Sequence, residues 1–198
     1  MKELSEMSLE ELWQLFPIVL KEYDQRYPAW YEKERKAIVS LLGEETIRRI
    51  SHIGSTAVPG LHSKPTVDIL LEISEDCPPG PLCAALQKSG WTLMLEQQKP
   101  EFRLAFNKGY TPQGFAQQVY HLHVRHFGDW GELYFRDYLC AHPEEASAYA
   151  ALKMELGQRY RHDRDGYTAA KAEFVRRCTC LARAEFAGRY RPDQCSKM

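Results

Sequence analysis

The apolar run Thr66–Ile73 constrains this chain more than any other segment. It is too short to span a bilayer, and a run of this length and make-up reads as a β-strand. Four segments of similar character surround it: Ile47–Ile53, Trp91–Leu95, Phe102–Phe106 and Val119–Val124. Gly109, Pro112 and Gly114 lie between the last two, which suits an antiparallel pair joined by a turn.

Helical spacing brackets this region. Ser8 and Glu11 form a capping-box signature ahead of Leu9, Leu12, Trp13 and Phe16, and Pro17 ends that helix. Ile18–Tyr23 fits a short strand and a helical turn equally well. Pro28 opens a firmer helix with the stripe Trp30, Ala37, Ile38, Leu41 and Leu42, and Gly43 caps it. A short helix ends near Gly90. From Trp130 to about Tyr190 the pattern is helical, with breaks at Pro143 and at Arg161–Gly166. The expected fold is α+β: a mixed, mainly antiparallel sheet flanked by helices, with a helical C-terminal third. Residues 28–190 form its domain, and residues 1–27 form an N-terminal extension packed on it.

Composition narrows the partners. At 198 residues, 44% hydrophobic and 27% charged, the chain can bury a core without metal or disulfide staples. A formal net charge of −1 supplies no general attraction to nucleic acid. The basic tract Gln158–Arg164, with Tyr160 and Tyr167 nearby, could touch RNA, but a solvated loop is the favoured reading. No stretch is apolar enough for a membrane helix, and the acidic N-terminus does not resemble a signal peptide. Cys77, Cys83, Cys140, Cys178, Cys180 and Cys195 contain no C-x-x-C pair, so reduced thiols and a cytoplasmic location are expected.

The chemistry concentrates in His52-Ile-Gly-Ser-Thr-Ala-Val-Pro-Gly-Leu61 and Lys64-Pro-Thr-Val-Asp68-Ile. A strand running into Gly54-Ser55 leaves backbone N–H groups open to an anion. The next strand projects the lone carboxylate Asp68 from an apolar run, and such a charge is costly unless a cation or metal meets it. Donors for a phosphate beside an oxygen ligand are what Mg²⁺-nucleotide chemistry requires. The blander reading is a common turn and a structural carboxylate. His121 and His123 alternate with Leu122 and Val124, so both face one side of a strand. They suit a shared metal, a phosphate clamp or a general base, or simply hydrogen bonds within the sheet. His52 would adjoin them as a further metal ligand if its strand pairs nearby. Lys64, Arg103 and Lys171 are candidate phosphate-binding cations. Consecutive Arg136 and Asp137 read as a structural ion pair.

These segments resemble the signature of the GrpB (glutamate-rich protein B) family. The resemblance continues in His121-Leu-His123-Val124, Phe135-Arg-Asp-Tyr-Leu139 with His142-Pro143, and Tyr167-Thr-Ala-Ala-Lys171 with Phe174, covering roughly residues 28–178. It implies a nucleotidyltransferase-like fold and a nucleotide or phosphorylated small molecule as ligand. Gly54, Ser55 and Thr56 would then meet phosphates and Asp68 would bind Mg²⁺, while His121 or His123 would orient a phosphate or take a proton. Active members of that superfamily carry Asp-x-Asp and a third acid on a neighbouring strand. Here Leu70 fills the second position, and Glu72 lies roughly 13 Å along the strand from Asp68, too far to share one ion. The expected function is transfer of a nucleotidyl or phosphoryl group. The alternatives are a non-catalytic nucleotide-binding or regulatory module and a hydrolase with a His-based metal site.

Overall fold

A computed structural model describes residues 2–192. Cys195 lies outside them, and the five described cysteines are free thiols. No described helix is long and apolar enough to cross a membrane. The chain runs α1 (Leu9–Leu15), α2 (Tyr27–Leu42), β1 (Ile47–Ile53), β2 (Thr66–Ile73), α3 (Pro79–Lys88), β3 (Thr92–Gln97), β4 (Arg103–Thr111), β5 (Gly114–His126), α4 (Gly131–Ala141), α5 (Pro143–Arg159) and α6 (Arg164–Glu185). The five strands form one open sheet in the order β1-β2-β5-β4-β3, with three helices in the C-terminal third. Only the β2–β5 pairing is parallel, because α3, β3 and β4 intervene between those strands. The mixed, mainly antiparallel α+β fold is therefore as the sequence patterns require.

One face of the sheet carries the main core. Val67, Ile69, Leu71 and Ile73 of β2 join Leu122 and Val124 of β5 and Leu104 and Phe106 of β4 beneath Tyr27, Ile38, Leu82 and Leu86 of α2 and α3. On the opposite face, Leu70 packs with Ile53 and with Leu133 of α4. β2 is thus buried on both sides, which is why its pattern is nearly continuous rather than alternating. Asp68 is the only residue of β2 that is not buried.

Two local expectations change and a third holds. In α2, Ala37 and Leu41 are exposed, and the buried line is Tyr27, Glu34 and Ile38. Buried Glu34 is tolerated because Lys108 of β4 reaches its carboxylate at 2.5 Å. Ile18–Tyr23 forms neither a strand nor a helix; its only ladder contact is a bridge from Lys21 to Ser63. That stretch is fastened by Ile18, whose side chain is buried against Leu156 and Tyr167 and whose N–H donates to the Arg161 carbonyl at 2.7 Å. α1 has the anticipated reciprocal cap: Ser8 Oγ accepts from Glu11 N at 3.2 Å, and Glu11 accepts from Ser8 N at 2.6 Å.

Candidate functional site

The parallel register places Asp68 of β2 directly beside His121 of β5, with His123 two residues further along the same face. His121 Nδ1 lies 3.0 Å from Asp68 Oδ1, and His123 Nε2 lies 3.9 Å from the same oxygen. The other ring nitrogen of His121 is 2.8 Å from the Tyr110 hydroxyl and 3.2 Å from Arg164 Nη2. Since the guanidinium only donates, this network assigns the proton of His121 to Nδ1, where it donates to Asp68. Burial holds the His121 pKa below the ordinary imidazole value even though the Asp68 bond opposes it. Burial would raise Asp68, but hydrogen bonds from His121 and His123 outweigh it and keep the carboxyl far below its usual range. The dyad is therefore a neutral imidazole on a carboxylate.

β1 ends with Ile53 opposite Asp68, so Gly54 arrives against that carboxylate. Its φ is +70°, and a Cβ there would overlap Asp68 Oδ2. Ser55 follows, and its Oγ accepts from Lys153 Nζ at 2.9 Å; the same ammonium also donates to the His62 carbonyl. Thr56 is almost fully buried. Its hydroxyl donates to the Thr66 carbonyl at 3.1 Å and lies 3.0 Å from His52 Nε2, so its side chain ties the turn to β1 and to the start of β2.

Cations surround the dyad. Lys64 is pulled down to about 8 by burial and by nearby Arg164 and Lys171, with Asp68 opposing. Lys153, only 2% exposed on α5, falls to about 7 through burial and the neighbouring Lys171 and Lys64. Lys171 is lowered as well, by burial and then by Arg164, while Asp68 raises it. Lys64 and Lys171 both lie over the ring of Tyr167, at 5.7 and 4.4 Å from its centroid. Three lysines and an arginine thus converge on one carboxylate, leaving an excess of positive charge that disfavours full protonation of the lysines.

The sheet separates His52 from this group. His52 pairs with Ile69 and faces α2, where its ring stacks on Tyr31 at 4.9 Å; burial drops its pKa to about 4. The expectation that His52 adjoins the other histidines as a metal ligand is corrected by the alternation of β1. Arg103 shares the face of His123 but sits beyond Ala105, at the far end of the strand, bonded at 2.5 Å to Glu101. Glu72 is fully buried and holds Arg49 and the N–H of Gly128. Arg136 and Asp137 form the anticipated structural element, with Arg136 also donating to the His52 carbonyl at 3.0 Å and Tyr190 to Asp137.

Sequence reasoning missed Tyr110 and Lys153 and read Arg164 as part of a solvated loop. Arg164 instead opens α6 and points at His121. Tyr110 follows a register shift at Gly109, where φ is +90° and a Cβ would overlap the Gln118 carbonyl, so simple alternation does not predict its direction. Lys153 lies four residues after Tyr149, a helical neighbour whose ring it covers at 4.6 Å. That spacing was the one available signal.

Among the described residues, Asp68, His121 and His123 could hold a metal ion, their ligand atoms lying within 4.8 Å of one another. One carboxylate and two imidazoles fit poorly with Mg²⁺, which prefers oxygen ligands, and better with a transition metal. The four neighbouring cations oppose a lone dication of either kind.

An open, mostly antiparallel five-stranded sheet with helices on both faces defines the class: an α+β protein whose polar cluster lies where β2 and β5 run parallel. The family model described as "GrpB protein" matches residues 17–180, and the chain belongs to the GrpB family. It is 38% identical over 168 residues to a UPF0157 protein of Pseudomonas aeruginosa, spanning 84% of this chain and 67% of that one. A UPF0157 protein of Halalkalibacterium halodurans is 32% identical over 185 residues, spanning 88% and 87%. The crystal structure of the conserved protein GrpB from Enterococcus faecalis superposes with a TM-score of 0.74 at 27% identity, covering 85% of this chain and 99% of that one.

Proposed function

We propose that this site binds the phosphates of a nucleotide or similar phosphorylated ligand and transfers a nucleotidyl or phosphoryl group from it. One observation carries the reading: Lys64, Lys153, Lys171 and Arg164 surround the single carboxylate Asp68. Buried and half-buried cations that repel one another are relieved by an anion, and a polyphosphate supplies several negative charges. The Gly54-Ser55 turn lies at the same place, against Asp68 and Lys153.

The chain's own residues supply the transfer chemistry. Asp68 fixes the His121 proton on Nδ1, so Nε2 becomes the base for an acceptor hydroxyl once the ligand's phosphates draw Arg164 and Tyr110 off it; the acceptor oxygen then bonds to phosphorus as the bond to the leaving phosphate or diphosphate breaks. The cations stabilise charge that grows on the phosphoryl oxygens.

A second reading, a binding-only regulatory module, is favoured by Leu70. It is fully buried at the position where a second metal-binding acid would stand. Calorimetry with a panel of nucleoside triphosphates, with and without Mg²⁺, tests binding; incubation with candidate acceptors and chromatography of the products tests transfer. Binding without any product supports the module. Absence of binding to every triphosphate sinks both readings.

A further inference from the structure

We propose that the chamber between the N-terminal segment and the β4–β5 hairpin takes the planar base of the ligand, making the protein a nucleotide binder rather than a general phosphate binder. This rests on the phosphate reading above and names the substrate class of the same site. The chamber measures about 410 Å³, and Lys64 and Arg164 line it. That volume falls in the range of small-molecule sites. Both cations also belong to the cluster around Asp68, and Arg164 Nη2 touches His121 and the Tyr110 hydroxyl. A ligand whose phosphates engage Lys64 and Arg164 therefore has its remaining portion at the mouth of this chamber.

The walls suit an aromatic ring. Phe16, Tyr110 and Phe115 meet edge to face or tilted, at centroid distances of 4.8, 5.0 and 5.3 Å, and all three line the chamber with Trp30. Aromatic side chains bind bases through their π-faces with little dependence on sequence. Gln117 is also on the wall, and its amide carries both donor and acceptor capacity for a base edge. Neither an aliphatic phosphate ester nor inorganic phosphate would use these groups.

The N-terminal segment thereby gains a function. Phe16 and the residues following it form one side of the chamber, and Ile18 fastens them to α5 and α6 through Leu156 and Tyr167. The segment completes a binding site that the sheet alone leaves open.

Calorimetry on the full chain with inorganic tripolyphosphate and with each common nucleoside triphosphate tests the proposal. Nucleoside triphosphates are expected to bind at least tenfold more tightly than tripolyphosphate. Phe115→Ala should lower nucleotide affinity roughly tenfold and leave tripolyphosphate unchanged, since loss of one stacking contact acts on the base alone. Phe115 is 43% exposed, so its removal spares the fold, and Phe115→Trp should keep the wild-type preference. Phe16→Ala should reproduce the effect from the adjoining ring, which packs on Phe115 at 5.0 Å. Equal affinity for tripolyphosphate and nucleotides overturns the base chamber and leaves the phosphate reading standing. A Phe115→Ala variant that weakens both ligands together overturns it in the same way. If neither tripolyphosphate nor any nucleotide binds, the phosphate reading itself fails and the chamber assignment falls with it.

Discussion

Gly54 lies so close to Asp68 that a Cβ at position 54 would have to push the carboxylate aside, and the backbone φ of +70° disfavours one regardless. The glycine of the Gly-Ser turn is thus explained by its approach to the strand-borne acid. Gly54→Ala is expected to destabilise the fold by about 1–3 kcal/mol, the cost of a strained backbone, and to displace Asp68 from His121. Urea unfolding measures the first effect. The second would appear as a changed His121 side-chain resonance in NMR, and an unaltered spectrum would count against it.

Lys153 gives a pH signature. Its pKa of about 7 in the fold lies below the 10.5 of an ordinary lysine, so between those values the unfolded chain binds the extra proton. Stability contributed by this group therefore rises with pH across roughly 7 to 10.5. Relative to Lys153→Met, the wild type should gain at most about 1.4 kcal/mol per pH unit in that window. Over pH 6.5 to 9.5 the unfolding midpoint of the wild type should rise relative to that of the variant; parallel curves would contradict a depressed Lys153.

Arg49 and Glu72 test the other acid of β2. Glu72 is fully buried, and Arg49 meets it with two nitrogens. Arg49→Ala leaves an uncompensated buried carboxylate and is expected to cost about 3–5 kcal/mol. Burial already raises the Glu72 pKa against the pull of Arg49, so the variant should recover part of its loss at pH 5. Denaturation at pH 5 and pH 8 checks this, and a loss below about 1 kcal/mol at both would show that the pair contributes little.

Asp68→Asn separates binding from transfer. Removing the one negative charge among four cations should strengthen phosphate binding in the absence of divalent metal. It also replaces the carboxylate that holds the His121 proton on Nδ1 with an uncharged amide, whose oxygen accepts more weakly and whose nitrogen only donates, so transfer should fall by about 10² to 10⁴. Calorimetry and product analysis on the same preparation give both quantities. A variant that binds phosphate more weakly without metal would mean that Asp68 contacts the ligand through a cation instead.

Much was already written in the chain. The strands Ile47–Ile53 and Thr66–Ile73 follow from local apolar patterning, as do the breaks at Pro17 and Pro143, because strand period and proline geometry act over a few residues; the break expected at Arg161–Gly166 falls at residues 160–163, with Arg164–Gly166 already in α6. The shared face of His121 and His123 follows from the two-residue repeat of a strand. Gly54, Ser55 and Asp68 stood out for a related reason: a turn glycine and a lone acid in an apolar run are local anomalies.

Only the tertiary structure decided who meets whom. Parallel pairing of β2 with β5 puts Asp68 beside His121, while the antiparallel pairing of β1 sends His52 to the other face. Lys153 and Arg164 look like ordinary helical and loop cations in sequence, and become site residues because α5 and α6 fold back over the sheet. Arg103 shows the converse, an alternating strand cation carried to the wrong end of its face. Local sequence sets which side of an element a residue occupies, since that depends on backbone period alone. Register and helix packing set its neighbours, since these depend on contacts between residues far apart in the chain.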